Sequence, residues 1–82
     1  MKPQLLLLSR PECELCEEFE FALMTQFGAA DFELERMDVD SRADWRTRYG
    51  LKIPVLLSAK GEVICSVHFD AAAVAEFLKN PG

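Results

Sequence analysis

Two cysteines separated by two residues, Cys13 and Cys16, sit inside "SRPECELCEEFEFAL", residues 9–23. A pair at that spacing has three available roles. It can exchange disulfides, one thiolate attacking and the other resolving; it can supply half of a tetrahedral metal site; or it can be structural. Further along, Cys65 and His68 repeat the two-residue gap, so C-x2-C is followed by C-x2-H, an acceptable donor set for zinc. The stretch around the first pair also holds five glutamates and a single basic residue, Arg10. Negative neighbours oppose ionisation of a thiol, so reactivity depends on where the surrounding structure places the sulfur.

The elements that must do the placing are legible in outline. "QLLLLS", residues 4–9, is an apolar run bracketed by Pro3 and Pro11 and reads as a buried strand. From Glu12 the period changes: Leu15, Phe19, Ala22, Leu23 and Phe27 form one helix face that ends near Gly28, with Phe21 and Met24 off it. "ADFELERMDVD", residues 30–40, alternates as a second strand, with one slip in period near Met37. "SRADWRTRYG" is a short polar helix with Ser41 as its expected cap and Gly50 as its stop, and Trp45 is expected to pack on the core. "KIPVLLS" and "EVICSV" are strands joined by the tight turn "AKG", so residues 53–67 form a hairpin. A last helix starts at the cap Asp70, with Phe69 stapled on Val74 and a face of Ala71, Val74, Ala75 and Leu78.

The order is therefore β-α-β-α-β-β-α. A strand-helix-strand opening makes a parallel pair and a tight turn an antiparallel one, which gives an α/β fold: a four-stranded mixed sheet flanked by helices. Its 82 residues provide for one domain, residues 1–82, and one small core. In this topology Cys13 and Cys16 fall where the first strand passes into the first helix. If Cys13 is at the cap or in the first turn, unpaired amides and the helix dipole favour its thiolate, and Cys16 one turn on can close a short disulfide. Glutamates on a first turn are exposed and screened, so a modestly lowered thiol pKa is expected, with a fairly reducing couple.

Zinc is the competing reading, because the last strand should end on the edge where Cys13 lies and so carry Cys65 and His68 towards it. The 48 residues between Cys16 and Cys65 nevertheless hold a whole α/β core, unlike a domain that needs metal to fold. Alternatively Cys65 is a small buried hydrophobe and His68 a surface or capping residue.

A net charge of −5 and a pI near 4.7, with dispersed Lys and Arg, argue against a nucleic-acid binder. The four-leucine run is too short for a signal peptide or a membrane span, so a cytoplasmic, monomeric protein acting away from membranes is expected. Three cysteines leave one unpaired, which suits reactive or incidental thiols better than a disulfide scaffold.

Along essentially its whole length the chain resembles the glutaredoxins of the thioredoxin-fold superfamily, and most closely the small bacterial glutaredoxin-like proteins. The resemblance rests on Cys13-Glu14-Leu15-Cys16 taken with "YGLKIPVLL". It implies a thiol-disulfide oxidoreductase acting on protein or low-molecular-weight disulfides, with Cys13 as nucleophile and Cys16 as resolving thiol. It also implies a cis bond at Ile53-Pro54, with the Ile53 backbone offered to an extended substrate and Pro54 shaping the groove. The alternative of the same fold is a non-catalytic binding or structural domain, with zinc on Cys13, Cys16, Cys65 and His68. Three departures separate this chain from ordinary glutaredoxins: Glu14-Leu15 stands between the thiols in place of Pro-Tyr, Glu12 replaces a basic residue, and Cys65-Ser66 stands where a Gly-Gly pair is usual. No cofactor is implied. Glutathione, an anion, would be a weakly attracted co-substrate at a site so poor in basic residues.

Overall fold

In the computed structural model, which describes residues 2–80, four consecutive leucines make the central strand. This strand, β1 (Gln4–Ser9), is followed by α1 (Glu14–Gln26), β2 (Glu33–Asp38), a 3-10 turn (Val39–Ser41), α2 (Ala43–Tyr49), β3 (Val55–Ser58), β4 (Val63–Ser66) and α3 (Ala71–Lys79). The sheet order is β2-β1-β3-β4. β1 runs parallel to β2 and antiparallel to β3, and β3 is antiparallel to β4. The order of elements and the mixed sheet are those expected from the sequence.

Both faces of the sheet are covered, which is why β1 can be apolar without alternation. Leu5 and Leu7 join Phe19 and Leu23 of α1, Phe32, Leu56, Cys65 and Val74 of α3 in one core cluster. Leu8 joins Val39, Tyr49 of α2, Val55 and Leu57 in the other, with Leu6, Met37, Trp45 and Ile53 packed against it. Alternate residues of one strand thus serve opposite cores. The slip in period near Met37 has the same origin: Phe32 and Leu34 belong to the α1/α3 side, whereas Met37 and Val39 belong to the α2 side.

Three local expectations are corrected. Ser41 does not cap α2; the cap position is Arg42, whose side chain makes no capping bond, and the Ser41 hydroxyl donates to the Asp38 carbonyl inside the 3-10 turn. The turn captures this serine before the helix can use it. On α1, Leu15 is 39% exposed and Cys16 takes the buried position below Phe19 and Leu23. On α3, Ala75 is exposed and Phe77 packs on the core instead, because the helix presents Val74, Phe77 and Leu78 to the sheet. Phe69 does join that core, edge-on to Phe19 and Phe27 with ring centroids 5.7 and 6.4 Å away. The Asp70 cap is as expected, its carboxylate accepting from the Ala73 N–H at 3.1 Å. Among the described residues no helix is long and apolar enough to cross a membrane.

Candidate functional site

The site is built where β1 runs out. Pro11 and Glu12 make a turn in which Glu12 has φ +60°, in the left-handed region. A side chain there costs about 1–2 kcal/mol, which the surroundings must offset. The turn delivers Cys13 to the N-cap of α1 with extended dihedrals (φ −102°, ψ 102°). There the Cys13 sulfur stands in for the usual cap oxygen: Sγ accepts the Cys16 backbone N–H at 3.1 Å, and the Cys13 carbonyl accepts from Glu17 N–H at 3.1 Å. Cys13 and Cys16 are joined by a disulfide, their Cα atoms 5.2 Å apart. The two sulfurs are not equivalent. Cys13 is half-buried, whereas Cys16 is 5% exposed and belongs to the buried stripe of α1.

Arg10 anchors this turn. Its Nε and Nη2 donate to the Asp40 carboxylate at 2.8 and 3.1 Å, and Nη1 donates to the Gly50 carbonyl at 2.7 Å. One guanidinium therefore ties the loop carrying Cys13 to the 3-10 turn before α2 and to the C-terminal end of α2, where a cation also suits the helix dipole. The hydrogen bond from Arg10 holds the Asp40 carboxyl below its ordinary value, with their Coulombic attraction acting in the same direction. Gly50 is right-handed, so positive φ is not why glycine stands there; a Cβ would lie 2.5 Å from the Arg46 carbonyl oxygen and 3.0 Å from Arg10 Nη2.

At the same edge of the sheet, where Val55 pairs with Leu8 near the end of β1, lie two irregular segments tied to each other. The Ile53-Pro54 bond is cis, and Pro54 is fully buried. Its carbonyl accepts the Val67 N–H at 2.8 Å. Val67 itself has φ +67°, and the His68 N–H donates to the Ser66 carbonyl across it at 2.7 Å. That is a γ-turn centred on a β-branched residue, a strained conformation for anything but glycine. The left-handed position of this segment is thus Val67, one residue past the Cys65-Ser66 that stands in place of the expected glycines. Between this segment and the first turns of α1 runs a shallow groove of about 130 Å³, lined by Leu15, Glu18, Phe19, Val67, His68 and Phe69. A larger hollow lined by Gln4, Leu5, Glu33, Ser58 and Ala59 lies at the far end of the strands, away from the cysteines.

The four zinc candidates are not assembled. Cys65 pairs with Leu56 in the β3–β4 ladder and is buried in the α1/α3 core, while His68 is exposed on the groove. Among the described residues no three His, Cys, Asp or Glu side chains come together as a ligand set. β4 does end on the expected edge, but Cys65 lies before its last residue with its side chain turned inward. Burial pushes the Cys65 thiol up, and a hydrogen bond from the Asp70 backbone offsets part of that. Cys65 behaves as the small hydrophobe that was its alternative reading.

The sequence reading missed Arg10 and Val67. Arg10 carries no motif of its own; the available signal was that an arginine directly after a strand, with Asp38 and Asp40 closing the next one, has an acidic partner within reach across a parallel pair. Val67 carries no signal at all, since valine advertises the opposite backbone preference.

Comparison with known proteins agrees with this architecture. The solution structure of the protein Ne2328 from Nitrosomonas europaea superposes with a TM-score of 0.83 at 24% identity, covering 94% of this chain and 92% of that one. The X-ray structure of the protein XcR50 from X. campestris gives a TM-score of 0.69 at 28% identity, covering 92% of this chain and 95% of that one. No curated protein matches the chain. The family described as "Glutaredoxin-like domain (DUF836)" matches residues 4–79, from the first residue of β1 to the last of α3. With a cysteine-capped helix, a cis-proline at the same edge of the sheet and a family match over nearly its full length, the chain belongs to the glutaredoxin-like family.

Proposed function

We propose that the protein is a thiol-disulfide oxidoreductase that reduces disulfides of proteins or small molecules through Cys13 and Cys16. The observation that carries this reading is the Cys13 sulfur at the N-cap of α1, accepting a backbone N–H and within bonding reach of a buried Cys16. Amide hydrogens and the helix dipole act on that sulfur at contact distance, whereas the exposed glutamates act through water. In the reduced protein the Cys13 thiolate attacks one sulfur of a substrate disulfide and expels the other as a thiolate. The Cys16 thiolate then attacks Cys13 in the mixed disulfide, releasing the second substrate thiolate. The substrate gains two electrons and two protons, and the protein is left with the Cys13–Cys16 disulfide.

An extended substrate would lie beside Pro54. The N–H and C=O of Ile53 meet no other backbone group among the described residues, so they are available to pair with it. A thiol or dithiol reductant returns the protein to its reduced form. Glutathione is a disfavoured candidate for that role, given the surrounding carboxylates, and the cytoplasm is the compartment that suits a recycled dithiol.

The test mixes the reduced protein with a disulfide-linked peptide and counts thiols. The wild type should lose two thiols reversibly, C13S should lose activity, and C16S should accumulate a one-to-one mixed disulfide on Cys13. Undiminished reduction by C13S would end the reading.

A further inference from the structure

The groove beside the disulfide and the charges around it point to a class of substrate. Leu15 lies between the two cysteines in sequence and is 39% exposed, forming one wall. Val67 and Phe69 form the other, and the volume of about 130 Å³ has room for one aliphatic side chain and no more. Glu18 lines this groove, and Glu12 and Glu14 flank Cys13 in the chain; all three are exposed and, among the described residues, outside any ion pair. Glu20 differs, being engaged by Arg36. The basic residues of the same edge offset little. Arg10 is committed to Asp40 and the Gly50 carbonyl, which leaves Lys52, in the loop before Pro54, and His68, on the groove wall, as the basic side chains on that side. The whole chain carries −5, so the field at the site has the same sign as the field of the molecule.

We infer that the disulfides exchanged here are carried on basic segments whose residue beside the cysteine is aliphatic. That side chain lies between Leu15 and Val67, and the positive charges face Glu18 on the groove and Glu12 and Glu14 on either side of Cys13. The inference rests on the oxidoreductase reading and adds the choice of partner. Charge complementarity fixes the sign of the partner, because each carboxylate that repels an anionic thiol attracts a lysine or arginine at the same distance. Groove size fixes the rest: a single apolar contact next to the reacting sulfur holds the substrate cysteine against Cys13 without demanding an extended pocket.

Three disulfide-linked peptide homodimers of equal length test it. One has leucine beside the cysteine with flanking lysines, one leucine with flanking glutamates, and one serine with flanking lysines. The second-order rate constant for oxidation of the reduced protein by each is divided by that of the same peptide with dithiothreitol, which removes differences in leaving-group chemistry. The lysine–leucine peptide should exceed the glutamate–leucine peptide by about tenfold at low ionic strength, the low end of what a focused field does to association. The ratio should shrink severalfold at roughly 1 M salt, where the screening length drops to about 3 Å. Glu14→Gln and Glu18→Gln should each lower it, and replacing leucine by serine should slow the reaction a few-fold. Equal rates for the two charge types, a preference for the glutamate peptide, or a salt-independent ratio would overturn the inference while leaving the oxidoreductase reading standing. If none of the three oxidises the protein, that reading itself falls.

Discussion

Two residues at the site adopt backbone conformations that their side chains disfavour, and they flank the cysteines on either side. Glu12 is left-handed immediately before Cys13, and Val67 is left-handed in the segment across the groove. Strain of this kind persists only where neighbouring contacts over-determine it, and it collects where geometry serves chemistry. Glu12 is exposed, so replacing it sacrifices no packing. Glu12→Gly should therefore leave stability unchanged or raise it by up to about 1 kcal/mol, relief of the left-handed conformation outweighing the added freedom of the unfolded chain. Glu18→Gly, in the interior of α1, should instead cost about 1 kcal/mol. Urea titration of both variants checks the pair, and equal losses would mean that the turn at Glu12 is unstrained.

Among the elements, the connection between β1 and α1 is held by one side chain, Arg10, rather than by backbone pairing. Its partner Asp40 has a depressed carboxyl pKa, held down first by the hydrogen bond from Arg10. A depressed carboxylate contributes stability that is present above its ordinary value of 3.8 and is lost as pH falls through the lower native value. Asp40→Asn should therefore be slightly less stable than wild type at neutral pH, with the two converging as the pH falls through the lowered native value of Asp40. Both groups are exposed to solvent, so the effect is small, and thermal melts across pH 2–7 with matched salt are the suitable measurement. The Arg10–Asp40 tie also marks where sequence reading ends at this scale. Strands, helices and the Asp70 cap follow from period and composition, because each is decided by residues within one turn or one pleat. The failed cap at Ser41 and the displaced face of α1 were decided by neighbours distant in sequence or by a competing turn: Ser41 was taken by Asp38, and Leu15 was left outside once Cys16 went inside.

For the molecule as a whole, the lesson of the sequence lies in its leucines. Four in a row at residues 5–8 identify a strand but do not reveal that Leu5 and Leu7 serve one core and Leu8 the other; only the placement of α2 opposite α1 and α3 makes that division. The candidate cysteines were legible because their chemistry is tied to residue type, whereas the cis bond at Ile53-Pro54 was expected only through the family resemblance. The wall supplied by Val67 was not, because it depends on a backbone conformation that valine does not announce. A chain of this length has roughly 4–12 kcal/mol of net stability, at about 0.05–0.15 kcal/mol per residue. Leu8 is completely buried, and Leu8→Ala should remove about 2–5 kcal/mol, lowering the melting temperature by at least about 8 °C. Phe21, 74% exposed, should tolerate truncation to alanine within about 0.5 kcal/mol. Calorimetry that found the two variants alike would contradict the burial of Leu8.

The unequal burial of the two sulfurs has a consequence for how the protein treats whatever it meets. Of the pair, Cys13 is the more outward sulfur, so under the proposed exchange chemistry a partner would be seized by that atom and let go from the interior, by Cys16. Catch and release would then fall to different residues, with the release hidden from competitors in solution. Without the inner sulfur, a protein working in that way would become a snare, recording as a covalent tag on one residue the identity of the molecule it had caught.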